Sequence, residues 1–286
     1  MKEQVCRLLS HVFMGKYKKK FRLLYMYEKE KKKIFNEFID TYIKEKKMRE
    51  ANTELIEKLN WARVPGFSSN LSVMEQIQFA ITTSIIHQRT FPQFRNINIG
   101  KDVVICATGP TYKLYRQIND AIHIGVNHSY KKKDVEFDYL FAQDTLLMGP
   151  EIEDLINYRK GDCKKFVYWE MPLKGFDFSD VYQYVPANSF NYDIDILPLP
   201  DFTSVVFSAF AFALWTRPRR IYLVGCDCSQ GHFISHPGDK AGITAKHLVS
   251  HWRKAKDFVE RCYPDTEIVS INPVGLKGMF ADNYTE

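Results

Sequence analysis

The chain has 286 residues, 45% of them hydrophobic and 14% aromatic, enough apolar side chains for a sizeable core and too many for disorder throughout. No apolar run reaches the roughly 18 residues that a membrane-spanning helix requires. The formal charge of +6 is unevenly placed: residues 1–60 hold 16 Lys and Arg against 9 Asp and Glu, and the other 226 hold 24 against 25.

Lys16, Lys18, Lys19, Lys20 and Arg22 form one basic cluster, and Lys29, Lys31, Lys32 and Lys33 another, with Leu, Phe, Tyr and Ile interleaved. No proline, and no glycine after Gly15, occurs before residue 65. Residues 1–65 are therefore expected to form one or two basic amphipathic helices. Such a face suits an anionic membrane surface, at about 1 kcal/mol per basic residue. It also suits packing on the main domain or on a second copy in a homo-oligomer. Nucleic acid is not expected as a partner, because no recognition motif accompanies the charge. Met1–Ser10 is too short for a secretory leader and runs into lysines. Six cysteines, at 6, 106, 163, 226, 228 and 262, are scattered in mostly apolar contexts. The expectation is a reduced, cytoplasmic protein, peripheral on the inner face of the membrane where residues 1–60 bind it.

Residues 66–286 read as one α/β domain. A helix is expected from Ser72, its N-cap, to about Ile86. Val103–Ala107 is a β-branched apolar run of the kind that forms a buried parallel strand. It ends in Thr108-Gly109-Pro110-Thr111, and a helix should follow from about Tyr112 to Asn119. Ala121–Val126 is a second strand, ending at Asn127-His128-Ser129. Phe137–Phe141 is a third, ending at Gln143-Asp144, and Lys165–Tyr168 a fourth. Residues 170–202, with Pro172, Pro186, Pro198 and Pro200, are expected to be irregular and to lie over the site. Thr203 to Trp215 is an apolar helix, Ile221–Val224 a fifth strand ending in Gly225-Cys226-Asp227, His247–Tyr263 a helix and Glu267–Ile271 a last strand. Strands alternating with helices predict a mostly parallel, Rossmann-like sheet with helices on both faces.

Ligands of such sheets collect at the carboxyl ends of the strands. That logic puts Thr108–Thr111, Asn127–Ser129, Gln143-Asp144 and Asp227–Gln230 on one rim. Gly109 admits a close backbone approach, and the turn after it offers N–H groups to an anion. The loop is neither GxGxxG nor a P-loop, so a nicotinamide or Walker-type site is not supported. Asp193-Ile194-Asp195 has the spelling of a divalent-metal pair but reads as loop. His247 and His251 are four apart on one helix face but lack the Glu of a zinc HExxH motif. Cys226 and Cys228 lack two further ligands. No metal and no cofactor are expected.

Several of these stretches resemble one family. Val103–Thr111 resembles the opening strand and Gly-Asn-Gly-Pro-Ser loop of the Campylobacter-type bacterial sialyltransferases (glycosyltransferase family 42), and the related domain of motility accessory factors. Gly125–Tyr130 looks like their second-strand Cys-Asn-Gln-Phe-Tyr loop. Phe202 through Leu214 resembles their Thr-Ser-Gly helix, and Ile221–Asp227 their Ile-Tyr-Leu-Cys-Gly-Ile-Asp strand. Lys254–Tyr263 resembles the end of their C-terminal helix, and Ile271-Asn272-Pro273 stands at their Cys-Pro-Asn-Ser turn. The matches fall in order over residues 101–280.

The resemblance implies a variant of the GT-A glycosyltransferase architecture. It also implies inverting, metal-independent transfer of an acidic sugar (sialic acid, a related nonulosonic acid or Kdo) from a CMP-activated donor to a hydroxyl of a glycan or lipid-linked oligosaccharide. The family's histidine base stands about sixteen residues before the tyrosine ending the C-terminal helix, which here is His247; His236, in a glycine-rich loop, is the alternative. Thr108, Gly109, Pro110, Thr111, Asn127, Gln143, Asp227 and Ser229 would bind the nucleotide, and Thr203, Ser204 and His232 the substrate. The family's loop asparagine is Thr108 here. Its paired tyrosines are absent, with Ser229 and Ser235 in their places, which leaves phosphate stabilisation to His232, His236 or Lys240. Three other readings are a metal-dependent nucleotide-diphosphate sugar transferase, a pyrophosphokinase, and a non-catalytic nucleotide-binding assembly protein.

Overall fold

Val103 to Cys106 carries no polar side chain, and the chain buries every one of these residues. In the computed structural model, which describes residues 73–143, 150–169, 179–229, 231–234 and 244–285, this run is β1 (Asp102–Cys106). The chain divides into two compact units, Met1–Gln78 and Phe79–Glu286, and the sheet belongs to the second. The expected basic helices of residues 1–65 lie outside the described residues.

After α1 (Val73–Thr90) come β1, β2 (Ile122–Val126), β3 (Tyr139–Ala142), α2 (Pro150–Asn157), β4 (Lys164–Tyr168) and β5 (Val181–Tyr184). The two-residue strands β6 (Pro186–Ala187) and β7 (Leu199–Pro200) pair with each other. Then come α3 (Val206–Trp215), β8 (Arg220–Val224), α4 (Thr244–Cys262), β9 (Glu267–Ile271) and β10 (Ala281–Asn283). The eight-stranded sheet has the order β10-β9-β8-β1-β2-β3-β4-β5, with every pairing parallel.

Burial on both faces follows from the period of two along each strand. Val103, Ile105, Ile124, Phe141, Phe166 and Leu223 point to one face, against α3 and α4. Val104, Cys106, Leu140, Val167 and Val224 point to the other, under Ile152, Leu155 and Ile156 of α2 and the rings of Tyr112 and Tyr115. All ten residues of α3 are buried, which suits a helix apolar on every side. Its one hydroxyl, on Ser208, donates to the Pro200 carbonyl at 2.7 Å.

Four expectations change. Residues 112–119 are not a helix: a 3-10 turn spans Pro110–Leu114 and stops. Its three-residue period puts both Tyr112 and Tyr115 on the buried side, and the Tyr115 hydroxyl is tied to His123 Nε2 at 2.8 Å. The stretch 170–202 is not wholly irregular, since β5 forms the sheet edge next to β4. Strand β10 is an addition; all three of its residues are exposed, so no hydrophobic pattern announces it. The apolar helix begins at Val206 rather than Thr203, because Phe202 and Thr203 have φ of 45° and 67°, outside helical space.

His87 of α1 is a core residue. Its Nδ1–H donates to the carbonyls of Ile194 at 2.8 Å and Leu197 at 2.9 Å. Its Nε2 accepts from the Val185 N–H at 2.8 Å. Burial pushes this imidazole down to about 4 from 6.5. Between those values the unfolded chain holds the extra proton, so stability is full above pH 6.5 and falls as pH drops towards 4. The loss from this residue is expected to be about 3 kcal/mol. Urea unfolding at pH 7 and pH 4 measures it, and the variant His87→Gln should lose correspondingly less.

Candidate functional site

The strand order fixes where a ligand can sit. From β1 the chain steps outward through β2, β3 and β4 to β5, then returns to place β8 on the other side of β1. The connections leaving β1 and β8 therefore part from each other, which opens a crevice at their carboxyl ends. A cleft of about 510 Å³ lies there. Thr108 and Gly109 line it from the β1 loop, Asn127 from the end of β2 and Gln143 from the end of β3. Thr203 and Ser204 line it ahead of α3, and Asp227, Ser229 and His232 beyond β8.

The two central loops are stitched together. The Gly109 N–H donates to the Gly225 carbonyl at 2.9 Å, and the Phe233 N–H to the Thr108 carbonyl at 2.8 Å. A Cβ on Gly109 would stand 2.4 Å from the Gly225 oxygen and 2.6 Å from Asp227 Oδ2, so only glycine fits. Asp227 is buried, and its Oδ2 accepts the Thr111 N–H at 2.8 Å while its Oδ1 accepts the Thr111 hydroxyl. Its carboxylate thus anchors the β1 loop. Thr111 and Pro110 do not line the cleft; they shape the turn behind Gly109.

A second network holds the far wall. Asn127 Oδ1 accepts the Gln143 N–H at 3.2 Å. The Gln143 amide donates to Asp201 Oδ2 at 2.7 Å and accepts from the Tyr184 hydroxyl at 3.0 Å. Burial pushes the Asp201 carboxyl up. Asn127, Thr203 and Cys228, with φ of 45°, 67° and 47°, hold left-handed backbone conformations around the cleft. For the β-branched Thr203 this is a strained state of the kind found at binding sites.

Asp201, Leu248 and Trp252 are among the lining residues that sequence reasoning did not assign to the site. Asp201 follows β7, so strand-end logic would have found it had Leu199-Pro200 read as a strand. Burial pushes the Cys228 thiol up to about 12 and the Cys226 thiol well above its ordinary range, so neither is a thiolate nucleophile at neutral pH.

The described histidines sort by their partners. His87 is committed to the core, and His123 is held between Tyr115 and the Ala121 carbonyl. His128 meets Glu151 at 2.8 Å. His232 lines the cleft and is exposed. His247 is exposed at the start of α4 and lies outside the cleft lining, although Leu248 and Trp252 of the same helix belong to it. Its Nε2 is 2.7 Å from His251 Nε2. His251 is buried and stacked on Phe202 at 4.4 Å, the residue before Thr203. Burial, with His247 and Lys254 nearby, pushes His251 down to about 4, so it is neutral at pH 7. His236, Ser235, Lys240 and Asp144 lie outside the described residues.

No family model matches the chain, and no curated protein matches it. Solved structures do. The MAf glycosyltransferase from Magnetospirillum magneticum AMB-1 is similar over 74% of this chain, at 13% identity and a TM-score of 0.46. The chain spans 40% of the length of that protein. The sialyltransferase CstII from Campylobacter jejuni, in complex with the substrate analogue CMP-3FNeuAc, is similar over 64% of this chain and 85% of its own. The identity is 13% and the TM-score 0.40. The same sialyltransferase with cytidine-5'-monophosphate is similar over 59% of this chain, at 16% identity and a TM-score of 0.37.

Chemically, the cleft offers a close-approach loop at Gly109, hydroxyls on Thr108, Thr203, Ser204 and Ser229, the amides of Asn127 and Gln143, and the His232 imidazole. Asp193 and Asp195 are not part of it. They flank Ile194, whose carbonyl accepts from His87. Among the described residues no three His, Cys, Asp or Glu side chains group as metal ligands. No described helix is long and apolar enough to cross a membrane.

Proposed function

We propose that the chain is a glycosyltransferase that moves an acidic sugar from a CMP-activated donor to a glycan hydroxyl, with inversion and without a metal ion. One observation carries this reading. The loop, strand-end and helix-start stretches that carry the sequence resemblance, far apart along the chain, line a single cleft where the strand order reverses.

The nucleotide enters over Gly109, where the missing side chain lets the backbone approach. With its side-chain oxygen on Gln143, Asn127 has its NH₂ left to donate to ribose or phosphate. Thr108 and Ser229 add hydroxyls, and His232 meets the phosphate. Thr203 and Ser204 hold the transferred sugar. His247 takes the proton of the acceptor hydroxyl as that oxygen bonds the anomeric carbon. The bond from that carbon to the phosphate oxygen breaks, and CMP leaves with the electron pair. Protonated His247 donates to His251, which burial keeps neutral and able to accept. The basic residues 1–60 hold the enzyme at an anionic membrane surface beside a lipid-linked acceptor.

The test is release of CMP from CMP-Neu5Ac and from CMP-Kdo with EDTA present. At least one donor is expected to turn over. Tight CMP binding without turnover of any CMP-sugar would instead make the chain a nucleotide-binding assembly protein.

A further inference from the structure

A second cavity, of about 430 Å³, lies at the opposite end of the sheet. Its wall includes Gly100 ahead of β1, Arg217 to Arg219 ahead of β8, and Asp265 and Thr266 ahead of β9. The amino ends of these strands are far from the rim that forms the cleft, so nothing in the proposed transfer uses this cavity.

Its cations are held in an unusual way. The Arg95 guanidinium lies over the Trp215 ring, 4.7 Å from its centroid. Arg217 lies 4.9 Å from the centroid of Tyr263 and 5.8 Å from that of Tyr192, and it donates to the Tyr192 hydroxyl. Aromatic faces orient both groups but do not cancel their charge. Neither has a carboxylate partner within ion-pair distance among the described residues. Arg219 differs: it is paired with Asp102 at 2.7 Å. Asp265 is the one carboxylate on the cavity wall.

Backbone strain sits here as well. Arg217 follows the end of α3 with φ 58°, and Asn96, on the same wall, has φ 63°. The position just past a helix end favours glycine, and an arginine there costs about 1 kcal/mol. Beside it the apolar surface is open: Ile99, on the wall, is 68% exposed and nearby Ile97 is 41% exposed.

From this arrangement we infer an anion site, in which Arg95 and Arg217 grip a phosphoryl group carried on an apolar body that lies along the open Ile99. Two planar guanidinium forks from different elements suit the several oxygens of a phosphate, and the volume suits a small phosphorylated molecule. The phosphoryl group belongs to a free phosphate ester or to a lipid headgroup, and the open Ile97 and Ile99 give the second an extra contact. This inference is independent of the reading of the cleft.

The experiment is calorimetric titration of the full chain with inorganic phosphate, phenyl phosphate and dihexanoyl phosphatidic acid. Each protein form is run with its melting temperature checked. The two esters are expected to bind more tightly than inorganic phosphate. A further preference for phosphatidic acid, removed by Ile97→Ser with Ile99→Ser, marks the lipid arm; equal affinity of the two esters marks the free-ester arm. Arg95→Gln with Arg217→Gln should weaken binding at least about tenfold, the worth of one charge-assisted hydrogen bond or more. Asp265→Asn, which removes the carboxylate on the cavity wall, should tighten it about threefold. His232→Gln, in the cleft, should leave this binding unchanged, which separates it from phosphate held at the nucleotide site. No saturable binding of any probe overturns the inference, as does unchanged affinity in the double arginine variant. Should that variant fail to fold, absence of tightening in Asp265→Asn overturns it.

Discussion

His247→Ala is expected to lower turnover of the CMP-sugar by about 100-fold or more, with CMP affinity changed by less than about twofold. The side chain is exposed and its ring contact is His251, so the substitution removes a proton acceptor without opening the core. A base at this position must gain and lose a proton near neutral pH, which suits an imidazole. In the proposed mechanism His251 acts through it. His251→Phe keeps a ring against Phe202 and loses the hydrogen bond, and it should cost about tenfold in turnover. Rates measured on single variants, with CMP affinity by titration, check both. Unchanged turnover in His247→Ala would pass the base role to His232, which lines the cleft, or to His236.

Gly109→Ala should abolish CMP binding and destabilise the fold by about 3 kcal/mol, the upper end of the cost of overpacking. The new methyl would overlap the Gly225 carbonyl oxygen at 2.4 Å and the Asp227 carboxylate. Relief requires breaking the Gly109–Gly225 hydrogen bond or moving Asp227 off Thr111. Either way the β1 loop lifts from the β8 loop, and a nucleotide bound over Gly109 would lose the backbone beneath it. Urea unfolding gives the stability change and CMP titration the affinity. A variant that binds CMP like the parent would show that the nucleotide does not pass over this loop.

Much of the architecture is legible in the sequence for a physical reason. Buried parallel strands must be apolar on both sides, so Val103–Cys106 and Ile221–Val224 stand out as runs. Each ends in small polar residues that the sheet carries to one rim. The failures have equally local causes. Val181–Tyr184 is short, lies at the sheet edge and is followed by Pro186, so its period of two is lost among turn signals. Ala281–Asn283 is held to β9 by backbone alone. Tyr112 and Tyr115 suit helix and 3-10 turn equally, and tertiary burial chose the turn. Thr203 and Ser204 have the chemistry of helix caps, yet the strained backbone at Thr203 gives them to the cleft. His87 looks like any polar residue on a helix; only the approach of Val185, Ile194 and Leu197 makes it part of the core.

The most direct test of the central claim is the melting temperature of the purified chain with CMP, CDP, UDP, GDP, ADP and ATP, with and without EDTA. A ligand at 100 times its Kd stabilises the native state by about 2.7 kcal/mol, a shift of a few degrees. CMP is expected to give the largest shift, unchanged by EDTA. A shift that comes only from a nucleoside diphosphate or ATP, and that disappears when magnesium is chelated, would contradict the account.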